Sequence, residues 1–247
     1  MVSVCLATYN GSRFLREQLD SVLCQLSPID ELVVSDDGST DETLDILAEY
    51  VALDSRLKIV KNTGRQGLVG NFESALKKAK GDCIFLCDQD DVWHPHKLEL
   101  MLDYLQQYKF VVHDAAVVDS HLSVIHPSYF SLRPVKAGFW NNLYRSSLLG
   151  CCMGFSSEAM NLILPFPKRI LWHDMWIGLM LQVFYKPRLV STPLLYYRRH
   201  GANLSTASDK SRFSVQFKVY YRWVMLIEVM KRMVRFSVNS VILRHFF

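Results

Sequence analysis

From residue 1 to about 107 the chain alternates short apolar runs with amphipathic stretches of helical length. No other feature constrains its fold as strongly. Parallel strands covered on both faces read as unbroken apolar runs, and a crossover helix must join each strand to the next. Strands are expected at 2–7, 31–35, 57–60 and 83–87, and helices at about 12–25, 41–51, 69–79 and 96–107. Ser39-Thr40-Asp41-Glu42 has a capping-box spelling at the second helix. A glycine-studded loop, Gly64-Arg65-Gln66-Gly67-Leu68-Val69-Gly70-Asn71, leads into the third. Beyond 108 the pattern loosens, with a strand at 110–118, an apolar run at 148–155, a helix at about 173–184 and a strand at 189–197. The expected class is α/β, one sheet flanked by helices.

Half of the residues are hydrophobic and 21% are charged, with 11 Gly and 8 Pro, which excludes disordered and collagen-like chains. No uncharged apolar run reaches the roughly 18–20 residues that cross a bilayer. Met1 to Ala7 enters a strand with no basic region or small-residue cleavage site, so no secretory signal is expected. The six cysteines sit mostly in apolar runs without a C-x-x-C pair, which favours buried free thiols in a reducing compartment over a zinc site. Residues 210–247 hold eight Lys/Arg against Glu228 alone, a balance of +7, while residues 1–209 carry −3. That asymmetry points to an anionic surface as the tail's partner.

Polar residues collect at the carboxyl ends of the expected strands: Thr8-Tyr9-Asn10, Asp36-Asp37-Gly38-Ser39, Asn62 and Asp88-Gln89-Asp90-Asp91. In open parallel sheets ligands bind there, so the four ends outline one cleft. Turn-making and helix capping explain any one of them, and all four together less well. Asp88-Gln89-Asp90-Asp91 follows the apolar run Cys83-Ile84-Phe85-Leu86-Cys87, which forces three acids together. Carboxylates so crowded call for a cation, and hard oxygen ligands suit Mg²⁺ or Mn²⁺ beside a phosphate. One acid, Asp91, is expected to do no more than cap the following helix. No G-x-x-x-x-G-K-[ST], no strand-linked G-x-G-x-x-G and no G-x-S-x-G occurs, so NTPase, dehydrogenase and serine-hydrolase readings lack support.

In order and spacing, the runs 2–11 and 31–41, Asn62-x-Gly64, Asn71, Ala79-x-Gly81-Asp82 and Phe85-Leu86-Cys87-Asp88-Gln89-Asp90-Asp91 resemble the opening of family 2 glycosyltransferases. His173-Asp174-Met175-Trp176 and Tyr196-Tyr197-Arg198-Arg199-His200-Gly201-Ala202-Asn203 extend the likeness toward the rhamnosyltransferase-like branch that builds bacterial surface polysaccharides. The resemblance covers residues 1–107 closely and 108–145 loosely. It implies a GT-A fold with a Rossmann-like mixed sheet, a nucleotide-diphosphate-sugar donor, a divalent metal and inversion at the anomeric carbon. It also implies that Thr8, Tyr9, Asn10 and Asp37 meet the nucleotide with Asp36 supporting their turn, and that Asn62, Asn71 and Arg198 belong to the donor site. Asp88 would meet the ribose or the metal, Asp90 and His200 the metal, and Asp174 would be the general base. Cys87 and Met175 depart from common family residues without touching that chemistry.

Residue chemistry agrees with this assignment. Displacing a nucleoside diphosphate needs a base for the acceptor hydroxyl and positive charge on the leaving phosphates. Asp174 stands apart from the acid cluster as a base candidate, its competing role being a first-turn helix acid. Arg198 or Arg199 would add positive charge. Trp93 and Trp176 are candidates for sugar stacking or for core packing. His113-Asp114 reads as a structural pair, and 150–154 as a small-residue wall near the cleft.

The tail reads as an amphipathic helix. Val219, Tyr220, Trp223, Leu226, Ile227, Met230, Met233 and Val234 share one face, and Lys218, Arg222, Lys231, Arg232 and Arg235 lie opposite with Phe217, Val224 and Met225. That pattern suits an anionic membrane surface; packing on the catalytic domain or a homodimer is the competing role, and nucleic acid is not expected. The expected layout is a catalytic domain at 1–209, divided into a nucleotide-sugar half (1–107) and an acceptor half (108–209), with the tail at 210–247. The expected activity is sugar transfer to a saccharide or polyprenyl-linked acceptor at the inner face of the cell membrane, on the cytoplasmic side. A sugar-nucleotide nucleotidyltransferase would need a glycine- and arginine-rich loop that Thr8-Tyr9-Asn10-Gly11 does not provide. A saccharide-binding module without turnover would not need Asp90 and Asp174.

Overall fold

The structure, a computed structural model, describes residues 1–200 and 213–245, with side chains to residue 236. Gly201, Ala202, Asn203, Lys210 and Arg212, part of the motif and charge patterns, lie outside what it describes, as does the side chain of Arg244. The chain runs β1 (Val2–Thr8), α1 (Ser12–Leu23), β2 (Glu31–Asp36), α2 (Thr43–Leu53), β3 (Leu57–Lys61), α3 (Leu68–Leu76), β4 (Cys83–Asp88), β5 (Val92–Trp93) and α4 (Lys97–Leu105). It continues β6 (Phe110–Val118), β7 (Val124–His126), α5 (Tyr129–Leu132), α6 (Phe139–Tyr144), β8 (Met153–Ser156), α7 (Met160–Ile163), α8 (His173–Phe184), β9 (Arg188–Arg198) and α9 (Val215–His245).

The strands form one mixed sheet in the order β3-β2-β1-β4-β8-β6-β9-β5, with β7 on β6. The first four are parallel, β8 runs antiparallel to β4 and β6, and β9 runs parallel to β6. Every residue of β1, β2 and β6 is buried, which is why those segments read as largely apolar without a polar alternation. Register sets Thr8 beside Asp36 and Ala7 beside Asp88, so the polar strand ends meet along one edge.

Several elements differ from expectation. The run 148–155 divides into a 3-10 turn, Gly150–Cys152, and the short strand β8. The two-residue β5 escapes any pattern rule because it exists only through its pairing with β9. Helix α2 starts at Thr43, and Asp41 accepts from Thr43 N (3.1 Å) and Ser12 N (3.1 Å) in place of a capping box. Asp91 does not cap α4, which begins behind His96; it is fully buried and accepts from Arg198 N at 2.9 Å. Trp93 and Trp176 are core residues, 2% and 0% exposed.

Helix α9 packs on α6 and α8 through a face that the sequence pattern places with the basic residues. Tyr221, Val224, Met225 and Val229 are buried, and Trp172 meets Tyr221 edge-on at 4.4 Å. Arg232, expected among the outward cations, is buried instead: it donates to Leu162 O (3.0 Å) and Leu164 O (2.6 Å) just past α7, where carbonyls lack helical partners. Arg222 likewise donates to Tyr144 O at 2.7 Å, at the end of α6. The helix thus has two apolar faces, and the expected one, with Tyr220, Trp223, Ile227 and Met230, stays exposed. Among the described residues no helix is long and apolar enough to cross a membrane.

Candidate active site

At the nucleotide side, many of the candidate residues are spent on building the loops. Asp36 accepts from Thr8 Oγ1 (2.9 Å), Gly38 N (2.9 Å), Ser39 N (2.8 Å) and Ser39 Oγ (2.6 Å), and both Thr8 and Asp36 are buried. Thr8 therefore holds the turn and does not present its hydroxyl to a ligand. Asn71, also buried, donates to Thr8 O at 2.9 Å and ties α3 to the end of β1. Asn10, at φ 47°, accepts from Thr40 N at 2.8 Å and bridges the first two strand ends. Asp37 receives Asn62 Nδ2 (2.7 Å) and Gly67 N (2.7 Å), which pins the glycine loop to β2. Tyr9 is 55% exposed, so its ring is the part of this wall that faces outward.

Gln89, set between acidic neighbours, shows no signal of its role in the sequence. Its amide accepts from Tyr9 N (2.8 Å) and donates to Tyr9 O (3.1 Å), clamping the end of β1 to the end of β4. Gly11 leaves the room for this clamp: a Cβ there would stand 2.3 Å from Gln89 Oε1 and push the amide aside.

The acids gather at the end of β4. Burial, with Asp90 and Asp174 nearby, pushes the Asp88 carboxyl up to about 7. Burial and the neighbours Asp90 and Asp88 also raise Asp91, whose Oδ2 has no hydrogen-bond partner. One carboxylate oxygen each from Asp88 and Asp91, and the Cys151 sulfur, lie within 4.8 Å of one another. Asp90 Oδ2 instead meets His200 Nε2 at 2.8 Å. Crowded carboxylates raised in this way and a buried oxygen without a donor are what a hard cation would relieve, so the residues fit the expected Mg²⁺ or Mn²⁺.

Arg198 is placed otherwise than expected. Its guanidinium donates to Asp90 O (2.8 Å), Ser120 O (2.6 Å) and Glu17, with the Phe14 ring beneath it at 4.4 Å. It is 1% exposed and braces the acid loop from behind, which removes it from the face a diphosphate would meet.

Asp174 opens α8, and its Oδ1 accepts from Met175 N at 2.6 Å. Burial raises its carboxyl to about 6, against the downward pull of that bond. A solvated first-turn acid would shift the other way. The turn at Gly150 makes room: a Cβ there would stand 3.3 Å from Asp174 Cβ and 2.9 Å from His173 Nε2. His173 stacks on Phe72 at 3.9 Å and is held neutral by burial. His113 and Asp114 are both buried but meet only through the Asp114 backbone carbonyl, 2.7 Å from His113 Nδ1, while the Asp114 carboxylate accepts from Phe130 N at 2.8 Å.

A second unanticipated residue comes from the tail. Tyr221 Oη accepts from Leu171 N (2.9 Å) and Trp172 N (3.2 Å), two otherwise orphaned donors at the start of α8. Periodicity places Tyr221 on a helix and says nothing of a partner 50 residues away.

This sheet, with its acid-lined strand ends, defines a GT-A glycosyltransferase domain. The chain belongs to glycosyl transferase family 2, whose model matches residues 3–161. It is 27% identical over 222 residues to the uncharacterized glycosyltransferase alr2836 of Nostoc sp., covering 85% of this chain and 69% of that one. It is 35% identical over 105 residues to the Escherichia coli UDP-Glc:alpha-D-GlcNAc-diphosphoundecaprenol beta-1,3-glucosyltransferase WfgD, covering 42% of this chain and 41% of that one. The structure of S. aureus TarS 1–349 in complex with UDP-GlcNAc superposes with a TM-score of 0.71 at 20% identity, covering 92% of this chain and 66% of that one. The chain thus spans less than half of WfgD and about two thirds of the TarS fragment.

Proposed function

We propose that this chain transfers a sugar, with inversion, from a nucleotide-diphosphate sugar to a saccharide on a polyprenyl-diphosphate carrier in bacterial surface-polysaccharide synthesis. It would work at the inner, cytoplasmic face of the cell membrane. The observation that carries the reading is the pairing of the acid cluster after β4 with Asp174, a separate carboxylate raised by burial to about 6. A group with that value is ionised at neutral pH and basic enough to accept the proton of an acceptor hydroxyl. WfgD, a glucosyltransferase acting on a diphosphoundecaprenol-linked sugar, and the UDP-GlcNAc in the TarS complex support the acceptor and donor classes. Rhamnose rests on the likeness of the 173–176 and 196–203 motifs to rhamnosyltransferases.

In this mechanism Tyr9 and the Asp37–Asn62 loop frame the base and ribose. Thr8, Asn10, Asp36 and Asn71 hold that wall in shape. Asp88 and Asp91, whose oxygens converge, would hold Mg²⁺ or Mn²⁺ with Asp90 and its partner His200 beside them, and the ion would supply positive charge beside the leaving diphosphate. Asp174 takes the acceptor proton as the acceptor oxygen attacks the anomeric carbon from the face opposite the diphosphate. Arg198 keeps the Asp90 loop from collapsing onto the cluster.

The test is a thermal-shift panel of uridine-, guanosine- and thymidine-diphosphate sugars with and without Mn²⁺, followed by an assay of nucleoside diphosphate release. A cognate donor at a hundredfold over its Kd stabilises by about 2.7 kcal/mol. The expected result is Mn²⁺-dependent stabilisation by one donor and release of its diphosphate with acceptor present. Binding without release, or formation of a sugar nucleotide from a triphosphate and a sugar phosphate, would overturn it.

A further inference from the structure

The outward face of α9 carries Val219, Tyr220, Trp223, Ile227, Met230 and Val234, each at least 41% exposed. They recur over four turns, a stripe about 22 Å long at 1.5 Å per residue. The helix cannot roll to hide it. Tyr221, Met225 and Val229 are buried in the domain, and Arg232 is held by the carbonyls of Leu162 and Leu164. Ile227, Met230 and Val234 line a shallow groove together with Lys231 and Arg235. From 213 to 236 the helix has five cations and one acid, Glu228, which receives Lys231 Nζ at 2.9 Å on the helix's own surface.

An exposed apolar stripe of this extent needs an occupant. Two copies laid stripe to stripe in parallel would set Lys231 and Arg235 of each beside those of the other, which disfavours that pairing. An anionic leaflet matches both parts at once. Trp and Tyr rings sit at the headgroup level, aliphatic tips reach the acyl boundary, and Lys and Arg stems run alongside with their charges on phosphate.

We propose that the outward face of α9 lies in the surface of an anionic lipid leaflet, with Tyr220, Trp223, Ile227, Met230 and Val234 inserted and Lys231 and Arg235 on lipid phosphate. This deepens the reading of a lipid-carried acceptor and rests on it only for its purpose, since docking needs neither donor nor turnover. It assigns no part in docking to Arg222 or Arg232, whose side chains are committed to carbonyls inside the fold. It also places the docked element one residue from Tyr221, which holds the start of α8 and hence Asp174.

The experiment is co-sedimentation of the full chain with phosphatidylcholine vesicles and with phosphatidylcholine–phosphatidylglycerol vesicles, at low and high salt. Wild type should partition onto the phosphatidylglycerol vesicles, release with salt, and blue-shift its tryptophan emission in a way that Trp223→Phe removes. Lys231→Glu with Arg235→Glu should lower partitioning by about 30-fold or more, the loss of two near-surface cations. Trp223→Glu with Ile227→Glu should lower it at least about tenfold. All four substituted residues are exposed, so melting temperature and donor-induced thermal shift should match wild type. Those two readouts separate a failure of docking from a failure of the donor reading. Equal binding to both vesicle types, or no binding, overturns the proposal. So does a dimeric mass in solution that Trp223→Glu converts to monomer, which would assign the stripe to a second copy.

Discussion

Replacing Asp174 by Asn separates stability from catalysis at a single atom. The amide keeps the size of the carboxyl and can still accept from Met175 N, now at 2.6 Å. What it loses is ionisation. The carboxyl is raised by burial from an ordinary 3.8 to about 6 in the folded chain. The folded state therefore holds the proton more tightly than the unfolded one. The stability this contributes is complete below about pH 3.8 and lost as pH rises through about 6. Above that, an ionised Asp174 costs the fold about 3 kcal/mol, the gap between the two values at about 1.4 kcal/mol per decade. Asp174→Asn should accordingly raise Tm at about pH 7.5 by roughly 6 to 12 °C, with the gain vanishing near pH 4. Turnover should fall by about 10²–10⁴-fold while donor affinity holds, because the base is gone and the pocket is not. In wild type, kcat/KM should drop about tenfold per pH unit below about 6 as the base is protonated. Calorimetry with metal and donor withheld, beside initial rates across pH, makes both measurements on the same protein. A variant with no gain in Tm would refute the desolvated carboxylate. One that turns over within about tenfold of wild type would refute the base.

Other substitutions probe neighbouring parts of the site. Asp90→Ala should cost at least about 10²-fold in turnover with little change in Tm, since the side chain is part-exposed and its partner is His200; activity equal to wild type in chelator would remove the cation from Asp90. Tyr221→Phe leaves the amides of Leu171 and Trp172 without an acceptor, at about 1–3 kcal/mol. It should lower kcat several-fold with donor KM unchanged, and an unaltered kcat would show that α9 does not position Asp174. Gly70→Ala would place a Cβ 1.7 Å from the backbone oxygen of Arg65. It should cost about 3 kcal/mol or more by chemical denaturation, because neither partner of the clash is a movable side-chain end.

The sequence alone determined the parallel half of the sheet, its helices and the row of polar strand ends, because each depends on local properties. Runs buried on both faces are apolar throughout, and the turns that follow them need Asn, Asp and Gly whatever lies nearby. It also marked Asp88 and Asp90, since acids after a buried strand stand out by position, and the family resemblance added Asp174. Only the tertiary structure decided what each polar group faces. Thr8, Asp36 and Asn71 turn inward to build the loop, and Gln89 clamps two strands. Arg198 reaches back 181 residues to Glu17 and so leaves the cleft. The same holds for α9, where periodicity identified one apolar face and set Val224 and Met225 among the basic residues opposite, yet it is the face with Val224 and Met225 that is buried. Which stripe is buried depends on whether the carbonyls of Tyr144, Leu162 and Leu164 and the amides of Leu171 and Trp172 stand opposite Arg222, Arg232 and Tyr221. Hydrogen-bond saturation and desolvation are properties of neighbours in space, and residues distant in the chain become neighbours only when it folds.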